Sequence, residues 1–225
     1  MSISMQDYTL AGSQEVRHRV LRNTYWLLAL SMIPTVLGAV IGVMFQLPVP
    51  RGFLGFGLFL ALAWAFIWGI EKTKHSAMGV VVLLGFTFFM GIWLTPLLTR
   101  TLGFSNGGTL IMIAFGGTAS IFAVLASIAT VTKRDFSMMG KWLFAGVMVL
   151  IVASLANYLF QMPALWLAIS VIAIAIFSAY ILYDVQRIVN GGETNYISAT
   201  LALYLDVYFI FQHLLALLGL GGERE

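Results

Sequence analysis

"FSAYILYDVQRIVNGGETNYISATLALYLDVYFIF", residues 177–211, consists of two apolar runs separated by a short polar link that contains a Gly-Gly pair. The apolar residues are continuous and lack the strict alternation of a half-buried strand. Followed to their natural limits at 163–186 and 196–219, both runs are long enough, at about 1.5 Å per residue, to cross a hydrocarbon core of roughly 30 Å. The stretch therefore reads as a helical hairpin through a membrane. Gly191 and Gly192 are expected to cap the first helix and turn the chain, and so short a link makes the two helices antiparallel neighbours.

The same pattern extends outward. Apolar runs at 24–46, 53–71, 77–98, 108–131 and 140–160 bring the expected spans to seven, all joined by short links. Composition agrees, because 60% of the 225 residues are hydrophobic and only 9% are charged, while the mean hydropathy is +0.96. Soluble domains do not have this balance. A β-barrel is excluded, since barrel strands alternate and are about half as long. The expected fold is an all-α integral membrane protein, a seven-transmembrane helical bundle over 23–220. An N-terminal cytoplasmic tail is expected over 1–22, its first sixteen residues mobile, and a short C-terminal tail over 221–225. The first run is of full spanning length and follows some twenty polar residues, so it reads as a retained span.

Positive charge near span ends sets orientation. Arg17, Arg19, Arg22, Lys72, Lys74, Lys133, Arg134, Lys141 and Arg187 fall on one side, and Arg51, Arg100 and Arg224 on the other. The N-terminus is thus expected in the cytoplasm and the C-terminus outside it. The pI near 9.3 reflects this bias and contact with anionic headgroups of the lipid bilayer, and no basic run points to nucleic acid. With no cysteine, disulfides, thiolate nucleophiles and thiolate metal sites are excluded.

Small residues recur at helix-packing spacing, at Gly38 and Gly42 and again at Gly116, Ser120, Ala123 and Ser127. Both stripes are expected to pack within the bundle. Trp26, Trp93, Trp142 and Trp166 lie near span ends and read as interface anchors. Pro34 is a candidate kink, and Pro163 suits a helix start.

Two of the nine acidic residues lie in the quoted hairpin, at Asp184 and Asp206. A carboxylate at membrane depth costs a few kcal/mol, which makes each a functional candidate. For Asp184 an equal alternative is a boundary residue that snorkels or pairs with Arg187, one turn on. Asp206 lies about 15 Å into its span with no Lys or Arg on the same helix. The link lets the two carboxyls meet. In contact at low dielectric they would share one proton and change charge between acid and neutral pH, which is a pH switch made of two residues. Tyr180 and Tyr183 are the nearest supporting candidates, followed by Arg187, Gln212 and His213. His213 lies about 10 Å from Asp206 along the helix, so an interhelical hydrogen bond explains it better than ligation. Ca²⁺ takes six to eight oxygen ligands. No firm metal site or cofactor is therefore expected, only weak hydrated Ca²⁺ at Asp184 and Asp206, with Ca²⁺ or H⁺ as the ligand.

Two membrane aspartates also define a class of intramembrane protease, and Tyr183-Asp184 looks like the first of its motifs. The second motif fails, because Leu203, Tyr204 and Leu205 precede Asp206 where that class has glycines. Pro163-Ala164-Leu165 also comes before both aspartates, the wrong chain order. There is no Gly-x-Ser-x-Gly elbow and no His pair at metal spacing. An enzyme is not expected.

"ATVTKRDFSMMGKWLFAG" (129–146), with its Lys133-Arg134-Asp135-Phe136 loop, and the hairpin 177–211 resemble the Bax inhibitor-1 family, also called the transmembrane Bax inhibitor motif family. "VLRNTYWLL" (20–28) and "GGETNYISAT" (191–200) resemble its bacterial YccA-like branch. The resemblance implies a seven-span bundle with the last helix central, and a two-aspartate pH sensor at Asp184 and Asp206. It also implies a Ca²⁺ leak in some members and modulation of the FtsH membrane protease with its associated complex. The location implied is the bacterial inner membrane. Some members carry a basic residue in the second span; residues 53–70 here contain none.

Overall fold

The computed structural model describes residues 5–50, 52–132 and 136–222, with side chains described from 14 to 219. Eight helices follow one another: α1 (Met5–Met44), α2 (Gly52–Thr73), α3 (Ala77–Trp93), α4 (Thr95–Leu102), α5 (Gly107–Val131), α6 (Met139–Phe160), α7 (Pro163–Val189) and α8 (Tyr196–Gly222). No strand occurs among the described residues. Among the described residues six helices are long and apolar enough to cross a membrane alone, and α3 and α4 pass the same test only together, as a pair bent by 42° that is a seventh span if it crosses as one. The chain is an all-α, multi-pass membrane protein.

The expected unbroken span 77–98 is therefore corrected to two helices meeting at Leu94. Pro96 lies in the first turn of α4; it has no N–H to give to the Ile92 carbonyl, and its ring opposes that carbonyl. The Thr95 hydroxyl donates to Ile92 O instead, at 2.6 Å, so the break leaves the acceptor satisfied. Pro34, by contrast, lies inside α1, which continues through it.

Within the segment expected as an N-terminal tail, helix α1 begins at Met5, so helix continues well beyond the apolar run. Gln14, Glu15, Arg17, Arg19, Leu21 and Arg22 include good helix formers, and after Gly12 there is neither Gly nor Pro to stop the chain before Pro34. At the other end α8 runs on to Gly222.

The hairpin turn forms as expected. Gly191 has φ +78°, a backbone region that favours glycine. Its N–H donates to Ile188 O at 3.0 Å and that of Gly192 to Arg187 O at 2.8 Å, the paired bonds of a Schellman cap. Asn195 then starts α8, its Oδ1 accepting from the N–H of Ile197 at 2.9 Å and of Ser198 at 3.2 Å. Its Nδ2 donates to Lys74 O at 2.8 Å, tying the hairpin to the α2–α3 link.

Helix α8 is the centre of the bundle. Half of its span is buried, against 28% for α1 and less for α2, α5, α6 and α7. It packs against α7, α5 and α1, while α6 packs against α7 at the edge. Because apolar surface gains nothing by leaving lipid for a neighbouring helix, close backbone approach and polar ties hold such a bundle together. Helices α1 and α3 cross through Gly38 and Gly91, where a Cβ would lie 2.2 Å from Phe88 O and 2.0 Å from Thr35 O. The ties converge on α8. Tyr204 OH lies 2.9 Å from Thr35 Oγ1 and donates to Thr87 O at 3.4 Å. Tyr208 OH donates to Met90 O at 3.2 Å, and Thr200 Oγ1 to Thr24 O at 3.3 Å. Tyr204→Phe is expected to cost about 1 kcal/mol, read from thermal or denaturant unfolding in detergent, with the helix content unchanged.

The second small-residue stripe does not pack inside the bundle. Gly116, Ser120, Ala123 and Ser127 are all exposed, and the two serine hydroxyls bond back to Gly116 O and Ala123 O of their own helix. Outward-facing hydroxyls are tolerated there because the helix itself satisfies them. Trp26 and Trp142 are 74% and 81% exposed, as interface anchors are; Trp93 instead packs against Phe59 and Phe89.

Candidate functional site

On α7 a buried stripe runs through Ile181, Asp184 and Ile188, and on α8 another runs through Ala199, Leu203, Asp206 and Ile210. The steps of three and four residues put each stripe on one helix face. Each aspartate thus occupies a core position that an apolar residue would fill elsewhere. The two stripes face each other across the hairpin, and Asp184 and Asp206 are 9% and 4% exposed. Their carboxyl groups lie side by side.

Ionised carboxylates are acceptors only, so such a contact needs a proton between them. Oδ2 of Asp206 is buried with no hydrogen-bond partner. The positive charge that acts on the pair is Arg187, on the Asp184 side, and Glu193 acts there with the opposite sign. Arg187 makes its ion pair with Glu193, 3.4 Å from Nη2 to Oε2, instead of with Asp184.

Tyr180 is within electrostatic reach of both aspartates. Its ring stacks with Phe177 at 6.2 Å, and Phe177 stacks with Phe209 of α8 at 4.7 Å. These aromatic rings lie beneath the pair on the side away from the hairpin turn. Tyr183 meets the Tyr180 ring edge-on at 6.3 Å and packs over Gly140 of α6, where a Cβ would lie 2.8 Å from the tyrosine ring. Arg187, Tyr180 and Tyr183 are therefore near the pair. Gln212 and His213 are not. Gln212 is six residues past Asp206, about 9 Å along the helix and a third of a turn away. His213 Nδ1 lies 3.3 Å from Ser170 Oγ, beside the Trp166 ring at 6.1 Å, in the half of α7 remote from Asp184.

Gln186, which the sequence reading overlooked, is 4% exposed, and its Oε1 accepts the Phe136 N–H at 2.6 Å. It ties the α5–α6 link to the end of α7, two residues from Asp184. The available signal was an amide among apolar residues one turn before a glycine cap. Lys133, Arg134 and Asp135, the rest of the loop singled out in the sequence, lie outside the described residues.

No group of three or more His, Asp or Glu side chains is placed to hold a metal among the described residues. Two carboxylates and a nearby tyrosine hydroxyl supply too few oxygens for a resident Ca²⁺, which takes six to eight. The donor set fits a proton shared between two acids, or a cation that keeps most of its water.

The family model described as "Inhibitor of apoptosis-promoting Bax1" matches residues 17–223. A modulator of FtsH protease, YccA of Escherichia coli K12, is 39% identical over 92% of this chain and 92% of its own length. Uncharacterised proteins of Pseudomonas aeruginosa (40% identical, 92% and 91% covered) and Campylobacter jejuni (39% identical, 88% and 87% covered) are similar over most of both chains. The bundle, the hairpin with its two acids and a match from residue 17 to residue 223 agree, and the chain belongs to the Bax inhibitor-1 family.

Proposed function

We propose that this protein is a non-enzymatic membrane regulator that binds an FtsH-type membrane protease and slows its degradation of other membrane proteins. The observation that carries this reading is the 39% identity to the Escherichia coli modulator across 92% of both chains. A non-catalytic role is supported by the environment of the acids. Leu203, Tyr204 and Leu205 stand before Asp206 where an intramembrane protease has glycines, and Leu203 and Tyr204 are both 0% exposed. The charge bias supports a cytoplasmic N-terminus in a bacterial inner membrane.

In this reading the aspartate pair is a proton-sensitive latch. With its proton it joins α7 to α8; without it, two like charges in contact push the helix ends apart. Gln186 passes that movement to the α5–α6 link, on the side where a cytoplasmic protease domain would dock. A tagged full-length copy in native membranes is expected to co-purify with the protease, and its deletion to shorten the half-lives of membrane substrates. If neither occurs, the regulator reading fails.

A second reading, a pH-gated Ca²⁺ leak, is favoured by one observation: the pair lies inside the bundle instead of on its surface. Ca²⁺ entry into liposomes should then change with pH in the wild type and lose that dependence in Asp206→Asn. A wild-type rate equal to that of empty liposomes rules the leak out.

A further inference from the structure

One face of α1 changes character along its length. His18, Arg22, Tyr25, Ala29, Met32, Val36, Ala39 and Val43 follow one another at steps of four and three residues, which places them in a single line. From Tyr25 to Val43 that line forms one wall of a lateral groove of about 750 Å³, closed on the other sides by α4, α5 and α8. It extends for about 27 Å, close to the thickness of a hydrocarbon core. Its rims face outward, with Val36 55%, Met112 67% and Phe115 57% exposed, so the groove is open sideways. Gly116 and Ala119 on α5 line it and leave room that larger residues would take.

The polar groups of the groove are almost all engaged within the protein. Thr35 bonds Ser31 O and Tyr204, Thr118 bonds Ala114 O, and Tyr208 bonds Met90 O. The exception is the Tyr25 hydroxyl, which is buried and has no hydrogen-bond partner. Its ring stands edge-on to Phe122 of α5 at 5.8 Å, across the end of the groove. Directly beyond it is a second depression lined by Glu15, His18, Arg19, Leu21, Arg22 and Tyr25 again. Arg19 and Arg22 are exposed and form no ion pair among the described residues; with Glu15 counted, this mouth keeps a positive charge.

We propose that this continuous site holds one anionic glycerophospholipid, its acyl chain in the α1–α5 groove, its phosphate on Arg19 and Arg22, and the Tyr25 hydroxyl donating to an ester or phosphate oxygen. The chemistry is ordered as the lipid is: charge, then a hydroxyl at the interface, then an apolar trough of ligand-pocket size. The two guanidiniums suit phosphate oxygens, and bulk bilayer alone gives no reason to leave a buried hydroxyl unpaired.

The test is native mass spectrometry of the full-length protein in mild detergent, titrated separately with phosphatidylglycerol and phosphatidylcholine of identical acyl chains. Phosphatidylglycerol should bind in a one-to-one complex, more tightly than phosphatidylcholine. Replacing both arginines, Arg19→Gln with Arg22→Gln, should weaken it by about thirtyfold; both side chains are exposed, so the melting temperature should not move. Gly116→Leu should block chain entry and lower binding of both lipids, and a Cβ on Gly116 meets nothing within 4 Å, so the fold accepts it. Ala119→Phe is the second groove-filling variant. Equal binding of the two lipids, a headgroup preference that survives the arginine substitutions, or binding that survives both groove-filling variants overturns the proposal. So does a lipid-free dimer, which would make the groove a seat for a second copy.

Discussion

Asp206→Asn is expected to abolish the pH dependence of the α7–α8 contact. On the latch reading proposed above, the contact is bonded at acid pH, where the pair would hold a proton between two acceptors. As pH rises and that proton leaves, two like charges remain in a site where Asp206 is 4% exposed, so stability falls. One proton released on tightening or loosening changes stability by at most ~1.4 kcal/mol per pH unit. An asparagine at 206 donates an N–H to Asp184 without a shared proton, so the bond persists and the slope due to that proton disappears. Unfolding in detergent, followed between about pH 5 and 8 for wild type, Asp206→Asn and Asp184→Asn, reads the effect as a difference in slope. Groups common to all three proteins, including Arg187, Glu193 and Tyr180, cancel in that difference. Parallel slopes in wild type and Asp206→Asn would show that the pair carries no titrating proton in this range.

The largest loss of folded protein is expected from Gly91→Val. Its first carbon would lie 2.0 Å from Thr35 O and 3.0 Å from Ala39 N, both of them backbone atoms of α1. A flexible side chain could swing aside; a helix backbone cannot, so α1 and α3 must separate. The Gly38 contact with Phe88 O, 2.2 Å from a Cβ there, would open with them, as would the Tyr204 bonds to Thr35 and Thr87. A cost of about 3 kcal/mol or more follows, seen as low yield of monodisperse protein and a depressed melting temperature. Gly57→Ala is the control. Nothing lies within 4 Å of a Cβ at Gly57, so this substitution should be neutral or slightly stabilising.

Several departures of structure from sequence share a cause. Hydropathy identifies which residues can lie in lipid but does not register a helix bend, so α3 and α4 read as one span although Pro96 divides them. Low hydropathy likewise marks where the apolar run starts and not where the helix does, because helix propensity does not depend on a membrane, and α1 begins at Met5. The α5 stripe of Gly116, Ser120, Ala123 and Ser127 has the spacing of a packing face. Spacing says that small residues share a side and leaves open what lies opposite; here no helix does.

The amino-acid sequence by itself determined the membrane class, the apolar runs of spanning length, the glycine-closed hairpin between α7 and α8 and the two acids within it. Each of these depends on local properties: run length, apolar continuity, glycine at a helix end, and charge at depth. Only the tertiary structure decided that Asp184 and Asp206 touch, that Arg187 turns to Glu193 while Gln186 holds the α5–α6 link, and that His213 belongs with Ser170. It also decided that α8 is central and that α1 and α5 diverge to leave a groove ending at Tyr25. Those features depend on helix rotation and tilt. In a membrane these are set by interlocking glycines and a few hydrogen bonds between residues far apart in the chain, and hydropathy carries no record of them.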